Sequence, residues 1–247
     1  AHPYKSSVHM QNEWRLREID DPESVRRIRR KLNDLPEALA RSLVLRGIDS
    51  FDKARNFFRP NREDLHDPFL MQDMNRAADR LAAALSGDEN ILVYGDYDVD
   101  GTTATALMMR FLNDQGAAAS YFIPDRYRDG YGLGRRGIDR AAERGADLII
   151  ALDCGITAHE MAAYVREQGM DLIICDHHTA GDTIPEAAAV LDPKRPDCTY
   201  PFKELSGCGV GFKLVQAVME RQGASIKEAF KYLDLLALSI ASDIVPI

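Results

Sequence analysis

A chain of 247 residues with 45% apolar and 28% charged side chains has the composition of an ordinary globular protein, long enough for one full domain and a smaller appendage. No stretch approaches the ~18 apolar residues of a membrane span, and no basic-then-apolar segment opens the chain, so a cytoplasmic protein with no membrane partner is expected. Its formal charge of −8 argues against a nucleic-acid partner only until distribution is considered, since two divalent cations in an acidic pocket would leave −8 + 4 = −4.

The first residues, 1–13, have no period and read as a tail or cloning remnant. From Trp14 to about Leu85 the signals are helical. Asp21-Pro22-Glu23 is a helix start, with proline early and an acid in the first turn. Leu39 and Leu43 read as an apolar face, ended after Leu45-Arg46 by Gly47, and Ser50 caps FDKARNFF. The basic run VRRIRRK, residues 25–31, suits either a phosphate backbone or a solvated helix face.

Beyond this region, residues 86–247 change pattern. ILVYG (91–95), ASYFI (119–123), DLIIAL (147–152), DLIIC (171–175) and AAVL (188–191) are short β-favouring runs. TTATALMMRFLNDQ, GRRGIDRAAER and TAHEMAAYVREQ lie between the first four and read as amphipathic helices. Two further helical stretches, 209–222 and 226–242, follow. Apolar strands alternating with helices predict an α/β fold, a parallel β-sheet flanked by helices, whose ligand site lies at the carboxyl ends of the strands.

The acids fall at those ends. Asp96, Asp98 and Asp100 follow the first strand, Asp153 follows the third, and Asp176-His177-His178 follows the fourth. Asp243, after an apolar helix, can reach the same place. One such Asp alone is commonly a helix N-cap. Five or six at one edge, with no basic neighbour in sequence, repel one another and resist ionising together. Bound divalent cations remove that conflict. Carboxylates with one or two imidazoles suit Mn²⁺ or Mg²⁺ better than zinc. So many carboxylates suggest two ions bridged by Asp153, a clamp suited to displacement at phosphorus. The four cysteines, Cys154, Cys175, Cys198 and Cys208, lack CxxC spacing and read as reduced thiols.

Two look-alikes fit less well. Asp96-x-Asp98-x-Asp100-Gly101 copies half of an EF-hand loop, but Leu107 stands where the twelfth-position Glu is required and a strand precedes it instead of a helix. Asp98-x-Asp100-x-Thr102 resembles the nucleophile motif of haloacid-dehalogenase-like phosphatases, which leaves Asp96, Asp153 and Asp176-His177-His178 without a reason.

GDYDVDG, ALDCGI, CDHH and ASDIVP, in that order, resemble the four motifs of the DHH phosphoesterase superfamily, and most closely its RecJ-type single-strand-specific exonucleases. IPDRYRDGYGL (123–133), LDPKRPDC (191–198) and LSGCGVGFKL (205–214) support the likeness, which spans roughly residues 14–247. It implies a 5′→3′ exonuclease on single-stranded DNA in recombination and repair, using Mn²⁺ or Mg²⁺, with single-stranded-DNA-binding protein and a repair helicase as partners. It also implies the metal ligands Asp96, Asp98, Asp100, Asp153, His177 and Asp243, with His178 supporting the metal shell or contacting the scissile phosphate. Asp100, His177 and His178 are then the catalytic set, acting on a metal-activated water. Arg126 is the candidate phosphate grip, unless it pairs with Asp125 or Asp129. SGCGVG, opening a helix, could present N–H groups to a phosphate, with Lys213 in its first turns. Lys194 and Arg195 are weaker candidates for DNA contact. Such enzymes carry a further C-terminal domain and an oligonucleotide-binding barrel, so these residues read as the N-terminal part of a longer protein, with metal binding retained and processivity weak. The competing expectation is a small substrate: a short oligonucleotide, a cyclic dinucleotide or pyrophosphate.

Overall fold

The computed structural model describes residues 15, 17–61 and 64–245. The tail read at residues 1–13 lies outside them. The chain forms two compact units, Ala1–Leu65 and His66–Ile247.

The first unit is helical. Helix α1 (Pro22–Lys31) starts at Asp21, whose side chain accepts from the Glu23 N–H at 3.0 Å. Helix α2 spans Glu37–Leu45, and α3 (Phe51–Phe58) is capped by Ser50. Val25, Ile28, Ala40, Leu43, Ile48 and Ala54 form its small core. The VRRIRRK run divides by period: Val25 and Ile28 turn inward, while Arg26, Arg27 and Arg30 are exposed. Arg26 and Arg27 pair with Glu23 and Asp21. That is a solvated helix face.

The second unit holds a five-stranded, wholly parallel sheet of order β2-β1-β3-β4-β5, from strands β1 (Ile91–Tyr94), β2 (Ala119–Phe122), β3 (Leu148–Leu152), β4 (Asp171–Cys175) and β5 (Ala189–Leu191). Helix α4 (Met74–Ser86) belongs here, so the helical region read from 14 to 85 supplies elements to both units. Alternation along each strand separates two cores. Ile91, Val93, Leu148, Ile150, Leu152 and Ile173 pack under α4, α5 (Val99–Asp114) and α8 (Gly207–Arg221). Leu92, Tyr94, Ile149, Ala151, Leu172 and Ile174 pack under α6 (Arg135–Glu143) and α7 (His159–Glu167). Each fully buried Ile or Leu contributes ~1.5–3 kcal/mol, which is why the central strands are uninterrupted apolar runs. Short α9 (Ile226–Ala229) leads to α10 (Leu233–Asp243), which packs on α5 and α8. No helix among the described residues is long and apolar enough to cross a membrane.

Strand β1 passes to β2 on one side, while β3 lies on its other side. The ends of β1 and β3 therefore flank the point where the winding reverses, the place in such sheets where ligands bind.

Candidate metal centre

The acids converge at that point. Asp96, two residues past β1, is 1% exposed, and neither of its carboxylate oxygens has a partner. Asp98 is the N-cap of α5, accepting from the Gly101 N–H at 2.9 Å, and remains exposed. Gly101 makes the turn possible, because a Cβ there would stand 2.6 Å from the Asp96 backbone.

Asp153 follows β3 in a left-handed conformation, φ 61°, and its N–H extends the ladder to Cys175 O at 2.8 Å. The start of α8 presses against it: a Cβ on Gly207 would lie 2.6 Å from Asp153 Oδ1. Its Oδ1 is buried without a hydrogen bond, although His177 Nε2 lies 3.1 Å away out of alignment. Two donors facing one point without bonding each other is the arrangement a shared cation needs.

Asp100 is served by the protein itself. Its carboxylate accepts from the N–H groups of Gly207 and Cys208 at 2.6 and 2.8 Å and from Ser239 Oγ at 2.7 Å. The N–H groups of the SGCGVG segment, read as available to a phosphate, are turned onto this internal carboxylate, which complements the helix dipole as an outside anion would. Ser239 carries no motif of its own; its sequence signal is only that it stands one helical turn before Asp243.

Buried Asp176 is a scaffold. It accepts from the Ile156 N–H at 2.8 Å, the His177 N–H at 2.7 Å and His178 Nδ1 at 2.7 Å. Burial opposes its ionisation, but the His178 bond and these N–H groups hold its carboxyl below the usual range. The same bond raises the His178 pKa. His178 is half exposed, and its Nε2 lies 3.1 Å from the Tyr131 hydroxyl. Asp243, closing α10, has Oδ2 3.8 Å from His177 Nε2.

Three sets, Asp96-Asp98-Asp153, Asp153-His177-His178 and Asp100-His177-Asp243, each bring ligand atoms within 4.8 Å of one another. Burial pushes the Asp153 carboxyl up to about 10, reinforced by the charges of Asp100 and Asp98. Burial likewise raises Asp96 and Asp243. Burial and mutual repulsion thus disfavour ionising these acids together, a conflict that a shared cation relieves. Oxygen-rich, with Asp96 and Asp153 Oδ1 buried and without a hydrogen bond, the donor set fits hard divalent cations.

Other expectations fare differently. Arg126 forms no ion pair with Asp125 or Asp129. Its guanidinium lies 4.6 Å from the Tyr97 ring centroid, while Asp129 pairs with Arg136. Lys213, read as a phosphate contact, is not brought to the acids. It is 4% exposed, donates to His66 O at 2.8 Å, and burial lowers its pKa to about 8. Helical period turns it into the packed face of α8. Arg195 is also buried, bound to Asp73 and Asp197, and Lys194 faces Glu204. Cys154 and Cys175 are buried thiols with raised pKa, inert fillers beside the site. Asp192 escaped the sequence reading, yet it follows β5 directly, as Asp153 follows β3. It is fully buried, its Oδ2 lacks a partner, and burial pushes its pKa up to about 7.

Fold and donor set together define an α/β protein with a carboxylate-rich metal centre at its switch point. Residues 90–240 match the model of the DHH family, N-terminal domain, and the chain belongs to that family. It is 40% identical to the single-stranded-DNA-specific exonuclease RecJ of Bacillus subtilis (strain 168) over 95% of this chain and 29% of that protein. A crystal structure of exonuclease RecJ bound to manganese superposes with a TM-score of 0.65 and 37% identity, covering 71% of this chain and 44% of that one. For RecJ in complex with Mn²⁺ from Thermus thermophilus the TM-score is 0.73 and the identity 31%, over 94% of this chain and 32% of that one. The chain thus spans less than half the length of each of these relatives.

Proposed function

We propose that this chain carries the catalytic centre of a RecJ-type, metal-dependent phosphodiesterase that hydrolyses single-stranded DNA from its 5′ end with two Mn²⁺ or Mg²⁺ ions. The observation that carries this reading is the convergence of Asp96, Asp153 and His177 from the ends of three strands, with both Asp96 carboxylate oxygens and Asp153 Oδ1 buried and without a hydrogen bond. The manganese-bound RecJ relatives support the choice of ion. Residues 86–247 are the catalytic domain in this reading, and 14–85 a helical region before it.

Asp96, Asp98 and Asp153 would hold one ion, and Asp100, His177 and Asp243 a second. When bound, the cations supply Lewis acidity, activating a water molecule and neutralising charge on the phosphate and leaving oxygens. The chain's own residues do the positioning. Gly207 and Cys208 orient Asp100 through its two oxygens. Asp176 fixes the His178 ring and favours its protonated form, so Nε2 offers a charged donor to the scissile phosphate. Arg126, held against Tyr97 with no acidic partner among the described residues, presents a fork to a neighbouring phosphate. The same likeness supports a cytoplasmic role in recombination and repair, with single-stranded-DNA-binding protein and a repair helicase as partners.

The test is turnover, in Mn²⁺, of 5′-labelled single-stranded DNA, a dinucleotide and pyrophosphate. Preference for the DNA is expected. Preference for pyrophosphate or the dinucleotide would replace this reading with a small-substrate phosphoesterase.

A further inference from the structure

Beside the acids, aromatic rings stand edge to edge. Tyr97, between two of the candidate ligands, meets Tyr131 with ring centroids 6.4 Å apart at 79°. Tyr131 in turn meets His178 at 5.9 Å and 80°. Tyr131 is nevertheless 57% exposed. A large apolar ring left in water beside a catalytic histidine calls for a ligand.

The way Tyr131 is held points the same way. It lies between Gly130 and Gly132, with φ of 78° and 83°, a conformation L side chains rarely adopt. A Cβ on either glycine would meet nothing within 4 Å, so the glycines serve the turn and not close packing. The arm is fastened at its base: the Tyr94 hydroxyl donates to Gly132 O at 2.9 Å and accepts from the Gly134 N–H at 3.1 Å. Below it, Arg126 covers Tyr97. The buried Tyr94 thus holds an exposed ring at the rim of the acid cluster.

We propose that Tyr131 is a stacking platform for the nucleobase of the nucleotide whose phosphate lies at the metal centre. This deepens the single-stranded-DNA reading and rests on it. Stacking accepts every base, because each has a π-face, so the platform grips DNA without reading sequence. It also discriminates against duplex, where both faces of an inner base are already covered by its neighbours. Strand selectivity thereby has a source inside this unit.

The experiment measures KM and kcat in Mn²⁺ on 5′-labelled oligonucleotides with either intact or abasic residues at the first two positions, for wild type, Tyr131→Phe and Tyr131→Ala. Tyr131→Ala should raise KM for the intact strand about tenfold and leave KM for the abasic strand unchanged, since the base it would hold is missing. Tyr131→Phe keeps the ring and should keep the wild-type KM on both strands, any effect of losing the hydroxyl beside His178 Nε2 falling on kcat alike for both strands. Equal rises in KM on intact and abasic strands, no rise on either, or a Phe variant with KM as impaired as the Ala variant would each overturn the platform. Wild type inactive on single-stranded DNA would remove the functional reading itself; wild type active with Tyr131→Ala unaffected removes only the platform.

Discussion

Two buried charged clusters in the same unit solve one problem in opposite ways. Around Arg195, which is 6% exposed, every charge has a partner from the chain. Its Nη1 donates to Asp73 Oδ2 at 2.9 Å and to Val190 O at 2.6 Å, while Nε and Nη2 grip Asp197 at 2.9 and 2.7 Å. Asp73 also accepts from the Val190 N–H at 3.3 Å, so the pair covers the free edge of β5. Arg195 holds the Asp197 carboxyl below the usual range. Around Asp153 the chain supplies acids and imidazoles with no buried cation to meet them, and the carboxyl pKa rises instead. A charge cluster that completes itself is architecture. One that leaves its ligand atoms open is built to receive something.

The contrast can be broken most sharply at Asp153. Asp153→Asn should lower Mn²⁺-dependent cleavage about a thousandfold, yet raise the Tm of the metal-free protein. A neutral amide removes the buried acid, and Asn accepts a φ of 61°. Unchanged cleavage would mean the centre is misassigned. At the other cluster, Arg195→Met should cost about 1–3 kcal/mol in urea unfolding, because Asp73 loses its buried partner and keeps only exposed Arg76 and the Val190 N–H, with Mn²⁺ affinity by calorimetry unaltered. A parallel fall in affinity would show that the clusters are not independent.

The smallest effect is the pH response. Asp153, Asp96 and Asp243 have folded pKa values above the ordinary 3.8, with Asp153 at about 10. Between those limits the native state holds protons that the unfolded chain has lost, so the stability of the metal-free protein should fall as pH rises through this window. Mn²⁺ displaces the protons, abolishing the fall and adding about 2.7 kcal/mol at a hundredfold excess over Kd. Melting curves at about pH 5.5 and about pH 8.5, with chelator and with Mn²⁺, measure this. A metal-free protein equally stable at both would show that these acids ionise unaided.

Much of this site was legible before any coordinates. DLIIAL and DLIIC announce strands buried on both faces, and the acid directly after each lands at the ligand-binding end of the sheet. Asp192 obeys the same rule after AAVL, inside LDPKRPDC, but it belongs to none of the four motifs that carry the ligand set. The misreadings share a cause. Lys213 looked available and is buried under His66 O, 147 positions away. The N–H groups of Gly207 and Cys208 looked open to a phosphate and are taken by Asp100, 107 and 108 positions away. For Arg126 it is only the alternative, pairing with Asp125 or Asp129, that the structure does not form; its guanidinium lies over the Tyr97 ring.

By itself the sequence determined the alternation of strands and helices and the placing of acids at strand ends, because residue period and the polarity of the next residue act over a few positions. Only the tertiary structure decided the order β2-β1-β3-β4-β5, which sets Asp96 and Asp153 on either side of one crevice. It also decided which buried charges found a partner. Strand order and polar pairing depend on packing between segments a hundred residues apart, and no local pattern records that packing.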